Sequence, residues 1–106
     1  MDTYRTNWIQ GSDFDIIKSF GMNTVRLPFD YELLMNSDDK PFRLKDDAWE
    51  WFDQAISMAK KREMYVILDM HGAPGRQSGM DHIGRVGYNK LWSNNAYQKQ
   101  TAWLWN

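Results

Sequence analysis

Two ionisable side chains, Asp69 and His71, stand two residues apart at the end of the run YVILDMHGAPG from Tyr65 to Gly75. Side chains alternate along an extended chain, so this carboxylate and imidazole share one face while Leu68 and Met70 share the other. They leave the strand together, beside a glycine-rich exit suited to a binding site. An earlier run, NTVRLPF from Asn23 to Phe29, sets Arg26 among apolar neighbours. A buried guanidinium there needs a partner, and Asp69 on a neighbouring strand is a candidate. His71 also has a purely structural reading as a satisfied buried histidine, but Asp69 and the glycines favour a site.

Asp69, His71, Asp81 and His82 raise the question of a metal, since histidine and carboxylate are hard-to-borderline ligands. No HxH or HExxH spacing supports one, and sequential Asp81 and His82 point apart unless the loop turns sharply. The run GAPGRQSG lacks the GKS or GKT ending of a phosphate loop, so its glycines read as turn residues. Trp92 and Tyr88 offer aromatic planes for sugar stacking, with core packing the alternative for Trp92 at the entry to a helix.

The elements that position these groups read as helix, strand, helix, strand and helix. Gly11 or Ser12 opens a first helix with Phe14, Ile17 and Phe20 as its apolar stripe, closed by Gly21. Asn23 to Phe29 is a strand, with Val25 and Leu27 turned toward the helices and Thr24 and Arg26 turned the other way. A long excursion from Asp30 to Lys45 has its tip around Asn36, Ser37, Asp38, Asp39 and Pro41. A second helix runs from about Asp46 to Arg62, acidic at its start and basic at its end, with Ala48, Phe52, Ala55, Ile56 and Ala59 on one face. Glu63 follows where glycine is favoured, and a left-handed conformation there costs about 1 kcal/mol. Met64 to Leu68 has the composition of a strand buried on both faces. After a second long loop, Asn94 or Asn95 caps a third helix. Strand, helix, strand with polar groups at the strand exits is the plan of parallel α/β sheets and barrels.

Composition narrows the function classes. At 106 residues, 42% apolar and 25% charged with a net charge of -1, the chain is at most one globular domain. Lys60, Lys61 and Arg62 suit a helix dipole and are too few for a nucleic-acid footprint. Without cysteine there is no disulfide framework or thiolate metal site, and the compartment is unspecified. No apolar run is long enough to span a bilayer or form a signal peptide, so localisation is unreadable.

GMNTVRLPFDY, the Trp-rich helix ending in KK, YVILDMHGAPGRQSG and the later LW together resemble the front part of glycoside hydrolase family 5, the (β/α)8 barrels of cellulases and related β-glucanases. The two strand motifs, VRLP and LDMHGAPG, occur in order and at suitable separation. The resemblance implies an α/β fold that is part of a barrel: its first helix, second strand, second helix, third strand and third helix. It further implies that Arg26 matches the family's second-strand arginine, which holds the nucleophilic carboxylate ionised and oriented. His71 matches the third-strand histidine beside the subsite for the sugar being cleaved. The reaction implied is hydrolysis with retention, with no metal or organic cofactor.

The chain departs from the family's pattern at its centre. Retention needs two carboxylates about 5 to 5.5 Å apart, and the family supplies them as glutamates on later strands, one in an Asn-Glu-Pro-like motif. The glutamates here are Glu32, Glu50 and Glu63, none in that motif. A barrel of this type needs about 250 residues. Residues 1–106 are therefore expected to be an incomplete catalytic domain lacking the first strand and everything from the fourth on. It would carry substrate-site residues Arg26, Asp69, His71, Asp81, His82 and Trp92 but no catalytic residue, and would be inactive alone. A β-glucan or oligosaccharide is the expected partner, nucleic acid and membrane are not, and open sheet edges allow self-association. The alternatives are a noncatalytic carbohydrate-binding or assembly piece and, behind it, a metal-dependent barrel hydrolase.

Overall fold

A computed structural model describes residues 7–36, 42–83 and 85–106. The expected loop-tip residues Ser37, Asp38, Asp39 and Pro41 lie outside them. The elements are helix α1 (Gly11–Ser19), strand β1 (Thr24–Asp30), a 3-10 turn (Tyr31–Leu33), helix α2 (Glu50–Lys60), strand β2 (Tyr65–Gly72), a second 3-10 turn (Asp81–Ile83) and helix α3 (Asn95–Leu104). β1 and β2 form a two-stranded parallel sheet. The chain divides into two compact units, Met1–Leu27 with Trp49–Leu68 and Pro28–Ala48 with Asp69–Asn106.

The first unit holds α1, α2 and the amino-terminal halves of the strands. Gln10 rather than Ser12 or Gly11 precedes α1 as its cap residue, and its backbone N–H donates to the Asp13 carboxylate at 2.8 Å. Acidic Asp13 in the first turn also suits the helix dipole. Phe14 is buried with Ala59 and Met64, and Ile17, Val25, Met58 and Val66 pack against them. Burial of a side chain like Phe14 contributes about 1.5 to 3 kcal/mol. Phe20 does not join this stripe: it caps the helix and is 73% exposed. Gly21 takes the left-handed conformation at φ 79°, as its place after α1 requires.

Glu63 is left-handed too, at φ 56°. Its neighbours supply the compensation that the sequence does not reveal. The Met64 N–H donates to the Ala59 carbonyl at 3.0 Å and the Glu63 N–H to the Lys60 carbonyl at 3.1 Å. These are the two bonds of a Schellman motif, with buried Met64 against Ala59 as its hydrophobic contact. Helix end and strand start are thereby fixed, and Tyr65 N–H opens the sheet on the Asn23 carbonyl at 2.8 Å.

Alternation along the strands follows the expected parity, with two corrections to the expected burial. Val25 is half-buried and Leu27 buried, while Thr24 and Arg26 are exposed, so Arg26 is not a buried guanidinium. In β2, Tyr65 and Ile67 are exposed, so the strand is not buried on both faces. An apolar run marks residues that need cover, and among the described residues nothing covers this face.

The second unit holds the strand exits and α3. The excursion after β1 is closed by an antiparallel bridge between Met35 and Leu44. Tyr31, Leu34 and Met35 are among its most deeply buried residues. Ala73, Leu91 and Tyr97 form a further core cluster with Met70 packed against it. Asn94 caps α3, its side-chain oxygen accepting from the Ala96 N–H at 2.9 Å.

Candidate active-site loops at the strand exits

β2 ends within the second unit in Asp69, Met70, His71 and Gly72. Asp69 Oδ2 lies 3.3 Å from His71 Nδ1. With the proton on Nδ1 the imidazole donates to the carboxylate and its Nε2 becomes an acceptor, a second-site arrangement that fixes ring orientation. The loop that follows is tied back onto the strand by Gln77. Its Oε1 accepts from the Ala73 N–H at 3.1 Å, and its Nε2 donates to the His71 carbonyl.

Arg76 is the residue whose importance the sequence concealed. It is 4% exposed, left-handed at φ 57°, and its guanidinium bonds the Asp30 carboxylate and, at 3.0 Å, Glu32 Oε1. The cation also lies 5.0 Å from the centroid of the Tyr31 ring. Burial works against the charge, but the hydrogen bond to Asp30 and the charges of Asp30, Glu32 and Tyr31 outweigh it and raise the guanidinium's pKa. Gly72 sits against this pair so closely that any Cβ would collide with the Asp30 carboxylate and the Arg76 guanidinium. A glycine is required there for space rather than for φ. A single arginine inside GAPGRQSG, with one acid ending the previous strand and a second just after it, is the pattern that would have shown this clamp.

The other expected site residues fall as follows. Asp81 and His82 share the second 3-10 turn, both exposed. Trp92 is 69% exposed and does not join the core of the second unit among the described residues. Its indole N–H donates to the Gln77 carbonyl at 2.8 Å. Tyr88, in contrast, is half-buried, its hydroxyl 3.2 Å from that of Tyr97. Arg26 belongs to the first unit, on the exposed face of β1 with Thr24.

This fold is that of a glycoside hydrolase segment. A solved structure described as a glycoside hydrolase superposes with a TM-score of 0.75, covering 91% of this chain and 28% of that one at 24% identity. A family model for cellulase (glycosyl hydrolase family 5) matches residues 1–105, and the chain belongs to that family. Among curated relatives, the probable glucan 1,3-beta-glucosidase A of Aspergillus fumigatus is 40% identical over 77% of this chain and 19% of its own length. The glucan 1,3-beta-glucosidase of Blumeria graminis is 38% identical over 82% of this chain and 20% of its own length. A beta-xylosidase of Phanerodontia chrysosporium is 32% identical over 98% of this chain and 22% of its own. The chain thus spans about a fifth of the length of these relatives.

Proposed function

We propose that these 106 residues carry part of the glycan-contacting surface of a retaining β-glucan hydrolase, without its acid/base and nucleophile. The observation that carries this reading is the Asp69–His71 pair at the exit of β2, on the HGAPG motif of a family 5 chain. In the proposed assignment the chain supplies the first helix, second strand, second helix, third strand and third helix of a (β/α)8 barrel. His71, oriented by Asp69, contacts the sugar at the cleavage point, and Asp81 and His82 accept and donate hydrogen bonds to its hydroxyls. Arg26 takes the role of the family's second-strand arginine toward the nucleophile, which lies on a strand outside these residues. No cofactor is needed for displacement at an anomeric carbon by a carboxylate pair.

A β-1,3-glucan is the proposed substrate, because the Aspergillus and Blumeria relatives are named for that linkage and exceed the xylosidase in identity. Calorimetric titration of the chain with laminaritriose and with xylotriose tests it. Saturable binding of laminaritriose that weakens in His71→Ala is expected. Binding of xylotriose alone would transfer the assignment to xylosides, and binding of neither would refute it.

The exposed Tyr65 and Ile67 of β2 favour a second reading, in which the piece assembles with a separate chain that covers this face. Co-purification of a complementary barrel segment in a defined stoichiometry would support that reading.

A further inference from the structure

We propose that Trp92 is a stacking platform for a pyranose ring, and that Gln77 is the positioning residue that fixes this platform relative to the exit of β2. The proposal rests on the glycan-binding reading above and adds to it a defined aromatic contact and the residue that aims it.

An indole exposed to 69% ordinarily has little to hold it. Here one edge of the ring is held by a hydrogen bond and the residue's backbone by others, while much of its surface stays open to solvent. The indole N–H donates to the Gln77 carbonyl at 2.8 Å, and the Trp92 carbonyl accepts from Gln98 Nε2 at 3.2 Å. The same Gln98 amide donates to the Leu91 carbonyl at 3.0 Å, and the Leu91 side chain is buried with Ala73 and Tyr97. The segment leading to Trp92 is laid along the β2 exit loop: Lys90 N–H donates to the Gly75 carbonyl at 2.7 Å and Leu91 N–H to the Arg76 carbonyl at 3.1 Å. Preorganisation of this kind lowers the ordering cost of binding.

Gln77 joins the indole to the strand exit in one residue. Its carbonyl holds the ring, and its side chain bridges the His71 carbonyl and the Ala73 N–H. Gln77 thus links the backbone at His71 to the edge of the Trp92 indole. The ligand class follows from the ring: a hexopyranose with equatorial hydroxyls presents apolar C–H faces that an indole matches, while its edge hydroxyls remain for polar groups such as His71.

The test is a nitrogen-15 NMR titration of the 106-residue chain with laminaritriose, following the six tryptophan indole signals. Absence of one signal in Trp92→Phe identifies the Trp92 indole. That signal is expected to shift saturably with ligand, and Trp92→Ala is expected to weaken binding about tenfold, a difference of about 1.4 kcal/mol. Gln77→Met, which keeps the side chain's length and removes both its bonds, is expected to displace the Trp92 indole signal before any ligand is added and to weaken binding, with the remaining indole signals unmoved. A general loss of structure would move them all, and Gln77→Glu, which retains the acceptor for Ala73, then serves as the milder variant with the same expected direction. Laminaritriose bound with an unshifted Trp92 signal, or with full affinity in Trp92→Ala, overturns the platform while leaving the glycan-binding reading intact. An unmoved indole signal and unchanged affinity in Gln77→Met and Gln77→Glu overturn the role of Gln77. Failure of the unaltered chain to bind either laminaritriose or xylotriose overturns both readings together.

Discussion

The guanidinium of Arg76 is bonded to the carboxylate of Asp30, joining the loop after β2 to the end of β1 inside the second unit. The donor is almost fully buried, whereas the acceptor remains partly open to water. Loss of either partner therefore has unequal effects. In Asp30→Asn the buried cation keeps only Glu32 as a charged acceptor, a change expected to cost about 1 to 3 kcal/mol. In Arg76→Met the freed carboxylates hydrate, so the cost should be smaller. Arg76→Lys should fall short of the native residue because a single ammonium cannot reproduce the fork that reaches both acids. Hydrogen exchange of the Lys90 and Leu91 amides, bonded to carbonyls of this loop, would register these changes, with Asp30→Asn exchanging fastest. Equal protection in Asp30→Asn and the unaltered chain would contradict this account of the clamp.

Gly72→Ala and Gly75→Ala should both destabilise the exit loop, for different reasons. At Gly72 the new methyl meets Asp30 and Arg76, and overpacking of this kind costs about 1 to 3 kcal/mol. At Gly75 it meets the Tyr97 ring from a backbone already at φ 74°. Gly21→Ala has the conformational penalty alone, since nothing lies near its Cβ position, so it should cost about 1 kcal/mol. Thermal midpoints of the three variants should place Gly21→Ala nearest the unaltered chain.

The acid limb of stability should involve Asp15. The hydrogen bond from Arg62 lowers its carboxyl pKa, helped by the charges of Arg62 and Lys18 and opposed by desolvation, and the same bond raises that of Arg62. A carboxyl whose folded pKa is depressed contributes stability above its unfolded pKa of about 4, and that contribution is lost as the pH falls through the folded value. The difference in urea midpoint between the unaltered chain and Asp15→Asn should shrink as pH is lowered from neutrality toward the acid range. A difference independent of pH would show that the bidentate bond from Arg62 contributes nothing through ionisation.

Exposed Tyr65 and Ile67 on β2, with Ile56, Val66 and Leu68 lining an adjacent hollow, should make the chain self-associate. Each strand has a single neighbour in the described sheet, and an unpaired edge beside apolar side chains invites another chain. Light scattering should show mass rising with concentration, and Ile67→Lys should reduce the rise. A monomer across the whole concentration range would contradict this.

The path of the chain was legible from periodicity and punctuation because local rules govern it. Gly21, the strand parity of Val25 and Leu27, the Asp69–His71 pair and the Asn94 cap all follow from such rules. Burial was less legible. Tyr65 and Ile67 have the residue types of a covered face and Arg26 sits among apolar neighbours, but cover depends on packing partners that sequence position does not report. Phe20 misled for a similar reason, since helical spacing placed it in the stripe of a helix that ends one residue earlier. Arg76 escaped notice because its partners are distant in sequence, Asp30 and Glu32. Glu63 looked uncompensated because its compensation lies in backbone bonds to Lys60 and Ala59.

The central claim is that this family 5 chain contacts a β-glucan without carrying the carboxylate pair that cleaves it. The most direct measurement is glucose release from laminaripentaose by the purified 106-residue chain, set beside a His71→Ala control. The account predicts that the oligosaccharide is recovered intact from both, because none of Glu32, Glu50 and Glu63 occupies the family's catalytic motif. Release of glucose clearly above the His71→Ala control would contradict it.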